Sequence, residues 1–285
     1  MLKIIKSGLY TTIQDLGRYG FRAYGVPVSG AMDQYAFHKA NYLLGNKRND
    51  AAVEIFYGGV QVEALQDTWL TLTGAEVYPE IEGHPIDMWS PILLEKGQHL
   101  ICSSPKNGVV SYLAIDGGID SPKYLNSRST YEKAGFGKRL KNGDIIESFK
   151  IHNDSFRSIQ QRKIPTYTHD IEVRVIPGPH ERLFNDTSIK QFYRQSFVVI
   201  KGDRMGARLE GSSSLRLNKF NDILSEAVTF GTIQIPHNGQ PTVLLADAQT
   251  TGGYPIIGTI HTEDLWRFVQ IPLGGTVKFK RWKVE

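Results

Sequence analysis

A single cysteine, Cys102, stands among the 285 residues. An internal disulfide is therefore excluded, and a lone thiol suits a reducing compartment. Charge of one sign is equally scarce. Lys and Arg number 33 against 29 Asp and Glu, a formal net charge of +4, and the basic residues are scattered rather than gathered into a stripe for nucleic acid. No apolar run approaches membrane-spanning length, and the opening MLKIIKSGLY lacks the extended apolar stretch of a signal peptide. The expectation is a cytoplasmic protein with neither nucleic acid nor membrane as partner. Signatures for nucleotides and metals are missing as well. There is no Walker A loop, no dinucleotide fingerprint at a strand-to-helix junction and no His/Cys spacing of a zinc site. No metal ligands are predicted.

What the sequence does hold is a succession of short β-type runs. They are Leu2–Lys6, Trp69–Thr73, His99–Ser103, Ser111–Asp116, Ile171–Ile176, Phe197–Ile200, Thr232–Ile235, Leu265–Ile271 and Thr276–Lys283, separated by Gly, Pro, Asn and Asp. Such spacing predicts a mainly β fold, barrel or sandwich, with one or two short helices. The clearer helix starts after Asp33 as N-cap, carries apolar residues at helical spacing over Tyr35–Leu44 and stops at Gly45. A second helical patch lies between His180 and Arg194.

The chain also repeats itself. Arg18-Tyr19-Gly20-Phe21-Arg22 returns as Arg204-Met205-Gly206-Ala207-Arg208, and Tyr57-Gly58-Gly59-Val60-Gln61-Val62 as Phe230-Gly231-Thr232-Ile233-Gln234-Ile235. Leu113-Ala114-Ile115-Asp116 matches Leu244-Leu245-Ala246-Asp247, and Leu140 with Gly143 matches Ile271 with Gly274. The anchors keep one order in both halves, which predicts two tandem copies of a β unit. The first spans 1–155 with an inserted segment at about 63–110, the second spans 165–285, and His152–Asp170 reads as the linker. Paired barrels favour a cleft at their boundary, and such a cleft is expected here.

The second copy alone inserts polar residues after its repeated strand. Val243–Ala246 runs into Asp247, then Gln249, Thr250 and Thr251, and then Gly252, Gly253 and Tyr254. A carboxylate, an amide and two hydroxyls followed by bare backbone suit a small polar ligand, and they equally suit a tight turn that satisfies its own backbone. Near the start, Gln14 offers an amide, Asp15 a carboxylate for Arg18 or for a proton, and Arg18 a fork for an anion. Arg204 offers a second fork unless Asp203 neutralises it. Ser127, Ser129 and Thr130 are candidate hydrogen-bond donors, and Asp33 is either a cap or a site residue.

Taken together, Gln14–Arg18, Val28–Asp33, Ser127–Thr130, Pro177–Pro179, Asp203–Gly206 and Gln249–Pro255 resemble the second subunit of bacterial 5-oxoprolinase. That family also includes the Kip antagonist and the C-terminal half of the urea carboxylase (urea amidolyase) carboxyltransferase domain. Ala248 and Asn126 depart from its usual pattern. The resemblance implies tandem cyclophilin-like β-barrels, a Kip-inhibitor-like companion subunit and a third subunit. It also implies ATP with Mg2+, used by the complex to open 5-oxoproline to L-glutamate. On this reading Asp247, Gln249, Thr250 and Thr251 are catalytic, and Gln14, Asp15, Arg18, Arg204, Gly252, Gly253 and Tyr254 bind substrate. Two alternatives stand beside it: a biotin-dependent carboxyltransferase acting on urea or a similar amide, and a non-catalytic regulator that antagonises a kinase inhibitor.

Overall fold

The computed structural model describes residues 1–149, 156–218 and 223–283; residues 152–155 of the expected linker lie outside them. By its internal packing the chain divides into a first unit, Met1–Arg18 with Ser29–Tyr167, and a second, Tyr19–Val28 with Thr168–Glu285. Among the described residues no helix is long and apolar enough to cross a membrane.

The first unit begins with β1 (Leu2–Ser7), β2 (Tyr10–Gln14), helix α1 (Gln34–Leu43), β3 (Ala52–Phe56) and β4 (Val60–Ala64). It continues with β5 (Thr68–Gly74), β6 (Pro79–Ile81), β7 (His84–Pro85), β8 (Ile92–Leu94) and β9 (His99–Cys102). It ends with β10 (Val110–Ile115), β11 (Ile119–Asp120) and β12 (Ile145–Ser148). The strands form two sheets, ordered β11-β12-β1-β4-β9-β6-β7 and β2-β3-β10-β5-β8. Alternation turns Leu2 and Ile4 of β1 inward, as it does Val60 and Val62 of β4. They join Val53, Ile55, Leu70, Leu72, Leu113 and Ile115 from the other sheet in one apolar cluster. One core thus binds both sheets. The segment expected as an insertion holds β5 to β9, including a β6–β7 hairpin that turns at Glu82 and Gly83 with φ of +49° and +79°.

Helix α1 starts as the sequence predicts. The Asp33 carboxylate accepts the Ala36 N–H at 2.9 Å, and Gly45 follows the helix at φ +73°, a conformation that costs glycine nothing. Its apolar face, Ala36, Phe37, Ala40 and Leu43, is buried. The Phe37 ring meets Tyr112 of β10 edge-on at 5.8 Å. The expected linker, where described, is instead packed as a strap of the first unit. The Phe156 ring lies 4.5 Å from Trp69, the Arg157 N–H reaches Leu43 O at 2.9 Å, and the Tyr167 hydroxyl donates to Asp33 at 2.8 Å. Its aromatic residues bury too much apolar surface to be left as a tether.

The second unit comprises β13 (Asp170–Pro177), helix α2 (Asp186–Arg194), β14 (Ser196–Gly202), β15 (Gly206–Gly211) and β16 (Glu226–Ala227). Then come β17 (Thr232–Gln234), β18 (Thr242–Leu244), β19 (Thr251–Gly252), β20 (Ile256–Ile260), helix α3 (Thr262–Phe268) and β21 (Thr276–Arg281). Seven of these strands close into a barrel, β13-β20-β17-β18-β15-β14-β21, sealed by the parallel β13–β21 pair. Closure removes exposed edges. Helix α2, capped by Asn185 on the Ser188 N–H at 2.7 Å, lays Phe192 on Phe279 with ring centroids 4.8 Å apart.

Three expectations change here. The run Leu265–Ile271 is not a strand: α3 covers its first part, with the His261 ring accepting the Glu263 N–H at 3.4 Å. Leu265, Phe268 and Val269 fall at helical spacing, a pattern that so short an apolar run does not separate from a buried strand. Residues 19–28 belong to the second unit rather than the first. The Arg22 guanidinium explains this, donating to Val228 O and, at 3.1 Å, to Thr250 O. The helices also number three among the described residues, where one or two were expected.

Candidate functional site

In the first unit β2 delivers Gln14 and Asp15 to its C-terminal end, and both are buried. Asp15 Oδ1 accepts from the Gly17 N–H at 2.8 Å and from the hydroxyls of Ser127 and Ser129 at 2.6 Å each. Its Oδ2 accepts the Arg128 N–H at 2.7 Å. The Asp15 N–H in turn donates to Ser129 Oγ at 3.0 Å. The carboxylate is thus the pin that holds the 127–129 loop on β2, and the serine and arginine backbone groups surround it. Arg18, 1% exposed, donates to Ser129 O and lies 5.0 Å from the centre of the Phe136 ring.

Gln14 donates its amide to Thr12 Oγ1 at 3.0 Å and Thr130 O at 3.4 Å, while its buried Oε1 has no hydrogen-bond partner. Ser29 Oγ is likewise buried and without one. Ser29 and Gly30 both take positive φ, +57° and +90°. A Cβ on Gly30 would stand 2.8 Å from the Leu16 backbone, so the chain passes there only as glycine. Asp33, which the sequence left between two roles, is a cap. Its N–H donates to the Tyr112 hydroxyl at 2.9 Å, and that hydroxyl donates to Glu54 at 2.6 Å. Burial first, then the carboxylates of Glu54 and Asp33, push the Tyr112 phenol well above its ordinary pKa. It therefore stays a donor.

In the second unit Asp247 follows β18 and meets Arg204 face to face. Arg204 Nε donates to Oδ2 at 2.8 Å and Nη2 to Oδ1 at 3.0 Å, with both residues buried. The pairing is the bidentate fork that guanidinium geometry favours. Asp203 does not neutralise Arg204; its carboxylate accepts the Met205 and Gly206 N–H groups at 2.7 and 3.1 Å and shapes the turn into β15. The Asp247 N–H closes on Arg204 O at 2.8 Å, so backbone and side chain lock the two loops together.

Beyond Asp247 the loop rises to the surface. Gln249 and Thr251 are exposed and Thr250 is half-buried. Thr251 and Gly252 pair with Ala227 and Glu226, and Arg22 holds Thr250 O. Gly252 sits hard against Gln234, whose amide nitrogen would be 2.4 Å from an added Cβ. Gly253 and Tyr254 then line a cavity of about 530 Å3, together with Phe184, Leu215, Arg216, Leu217, Ile223, Ile235, Pro236, His237 and Pro255. Tyr254 is 43% exposed, and its ring is edge-on to His237 at 5.7 Å.

Of the predicted set, then, Asp247 pairs with Arg204, Gly253 and Tyr254 line a cavity, Asp15 and Arg18 bond the 127–129 loop in the first unit, and Gln14 bonds Thr130 beside it. Sequence reasoning missed Arg216 and His237. Arg216 stands in no motif and carries no legible signal, whereas His237 carries one, since Pro236-His237 follows a strand as the Asp247 loop follows another. Among the described residues no group of three His, Cys, Asp or Glu side chains is disposed to hold a metal ion.

Residues 24–281 match the family of carboxyltransferase domains, subdomains A and B. The chain is 39% identical to the 5-oxoprolinase subunit designated C of Escherichia coli, over 100% of its own length and 92% of that protein. It is 35% identical to the like-named 5-oxoprolinase subunit of Haemophilus influenzae, over 98% and 91%. It superposes on the crystal structure of the K. lactis urea amidolyase with a TM-score of 0.93 at 27% identity, covering 99% of this chain but only 19% of that much longer one.

Proposed function

This chain belongs to the family of carboxyltransferase domains, subdomains A and B, and we propose that it serves as a cytoplasmic subunit of an ATP-dependent 5-oxoprolinase. In this reading it opens 5-oxoproline to L-glutamate together with a Kip-inhibitor-like companion and a third subunit. The observation that carries it is the 39% identity to the E. coli 5-oxoprolinase subunit over the full chain.

A lactam carbonyl is a poor electrophile because the ring nitrogen donates into it, so its opening is coupled to ATP in the proposal. In this reading the Asp247 carboxylate serves the arginine fork rather than a magnesium ion. Both oxygens of Asp247 are taken by Arg204, and no other metal-ready cluster stands among the described residues. What this chain contributes is orientation. Gln249, Thr250 and Thr251 present amide and hydroxyl groups from a loop whose base is locked by the Asp247–Arg204 pair, and Gly252 and Gly253 admit close approach of a ligand to backbone.

The test is reconstitution. The chain purified with its two companions is expected to release glutamate from 5-oxoproline with ATP and not without it; no turnover in the complete mixture defeats the proposal. The superposition on the urea amidolyase favours a second reading, a biotin-dependent carboxyltransferase acting on urea or a similar amide. Avidin-sensitive consumption of such an amide would select it instead.

A further inference from the structure

The cavity beside Tyr254 is lined by a cationic residue, Arg216, and by no acidic one among the described residues. The Arg216 side chain is exposed and its guanidinium makes no hydrogen bond or ion pair among the described residues. Its backbone, by contrast, is pinned on both sides: the N–H donates to Ser188 Oγ at 2.8 Å and the carbonyl accepts the Asn185 N–H at 3.1 Å. The opposite wall is equally fixed, because the Ile235 N–H holds Pro255 O at 2.9 Å. Phe184, Leu215 and Ile235 are buried and make an apolar floor. A volume of about 530 Å3 lies within the usual range for small-molecule sites.

An exposed arginine with a fixed backbone, lining a cavity with an apolar floor, is suited to a small ring that carries one carboxylate. We propose that this cavity binds the carboxylate of the substrate, with Arg216 as its anchor and the ring against Phe184, Leu215 and Ile235. The inference rests on the oxoprolinase reading for the name of that ligand and adds to it a specificity-determining residue. His237, edge-on to Tyr254, is a positioning residue that holds the tyrosine against the cavity mouth.

The experiment pairs a substitution with a truncated substrate. In the assembled complex, Arg216→Ala is expected to raise KM for 5-oxoproline by about 10- to 100-fold with kcat little changed, the loss of one charge-assisted contact. Arg216→Lys is expected to fall between. With 2-pyrrolidinone, the same lactam without its carboxylate, wild type and Arg216→Ala should react alike. Unchanged KM in Arg216→Ala overturns the inference, and so does an equal loss on both substrates, which would mean a structural role.

Calorimetric titration of the purified chain with 5-oxoproline separates this from the parent reading. Arg216-dependent binding in a complex that fails to turn over sustains the site and defeats the oxoprolinase. Turnover without Arg216-dependent binding does the reverse.

Discussion

Two buried aspartates, one in each unit, are held in opposite ways. Asp15 lies in a cradle of neutral donors, two serine hydroxyls and two backbone N–H groups, whereas Asp247 faces the full charge of Arg204. The cradle spreads a carboxylate over four donors, one from Gly17 and three from the 127–129 loop, so its energy is divided. The ion pair joins two chain segments through two parallel charge-assisted bonds, so a single side chain carries the neutralising charge. The first arrangement shapes a loop; the second clamps the base of a loop whose remaining polar groups are left to the surface.

The sharpest way to break this comparison is Asp247→Ala. It removes the carboxylate that Nε and Nη2 of the buried Arg204 both grip, and a loss of roughly 3–5 kcal/mol is expected, read by urea unfolding. Replacing both partners with apolar residues of similar size should recover most of it. A double replacement as damaging as the single one would show that the clamp is not an isolated pair. Because of that instability Asp247→Ala is a poor probe of catalysis.

Ser127→Ala takes one donor from Asp15 and one acceptor from the Ser129 N–H, and about 2 kcal/mol is expected. If the loss equals that of Asp247→Ala, the cradle is as concentrated as the ion pair and the distinction fails.

A third carboxylate extends the comparison to pH. Asp264 accepts from Arg174 at 2.9 Å on both oxygens. Burial works to raise its pKa, but the hydrogen bonds and charge of Arg174 outweigh this and hold it below the ordinary value. A lowered folded pKa gives stability that is fully present above the unfolded value of about 3.9 and is lost as pH falls through the folded one. The stability gap between wild type and Arg174→Met should therefore be constant near neutrality and close progressively below about pH 4. A gap that persists in acid would assign it to packing of the arginine on Trp282, 5.0 Å away.

The smallest structural effect belongs to Thr250→Val with Thr251→Val, expected within about 0.5 kcal/mol of wild type because the loop is at the surface. Under the proposed function the same pair should lose most turnover in the reconstituted complex. Unchanged turnover would remove the two threonines from the site.

Local signals proved legible where a few neighbouring residues settle the outcome. Asp33 and Gly45 mark the ends of α1 because a cap and a left-handed stop are properties of the residue itself. One repeated anchor also has matching geometry. Gly143, φ +89°, donates to Ile4 O and Ile4 donates to Asp144 O, both at 2.8 Å; Gly274, φ +83°, and Val199 repeat this with Gly275 at 2.9 Å. Another anchor differs. Arg18–Arg22 leads into a short 3-10 turn while Arg204–Arg208 leads into β15, since a shared Gly-Arg pattern does not specify the strand that will pair with it.

The amino-acid order by itself determined the mainly β character, the principal helix, the loop of hydroxyls and glycines, and the family resemblance, all of which depend on residues close together in the chain. Only the tertiary structure decided that Arg204 is committed to Asp247, that Ser127 and Ser129 serve Asp15, and that Arg216 shares a cavity with Tyr254. Those partnerships join residues 38 to more than 100 positions apart, and nothing in local propensity chooses among distant partners until strand pairing and burial bring one of them within reach.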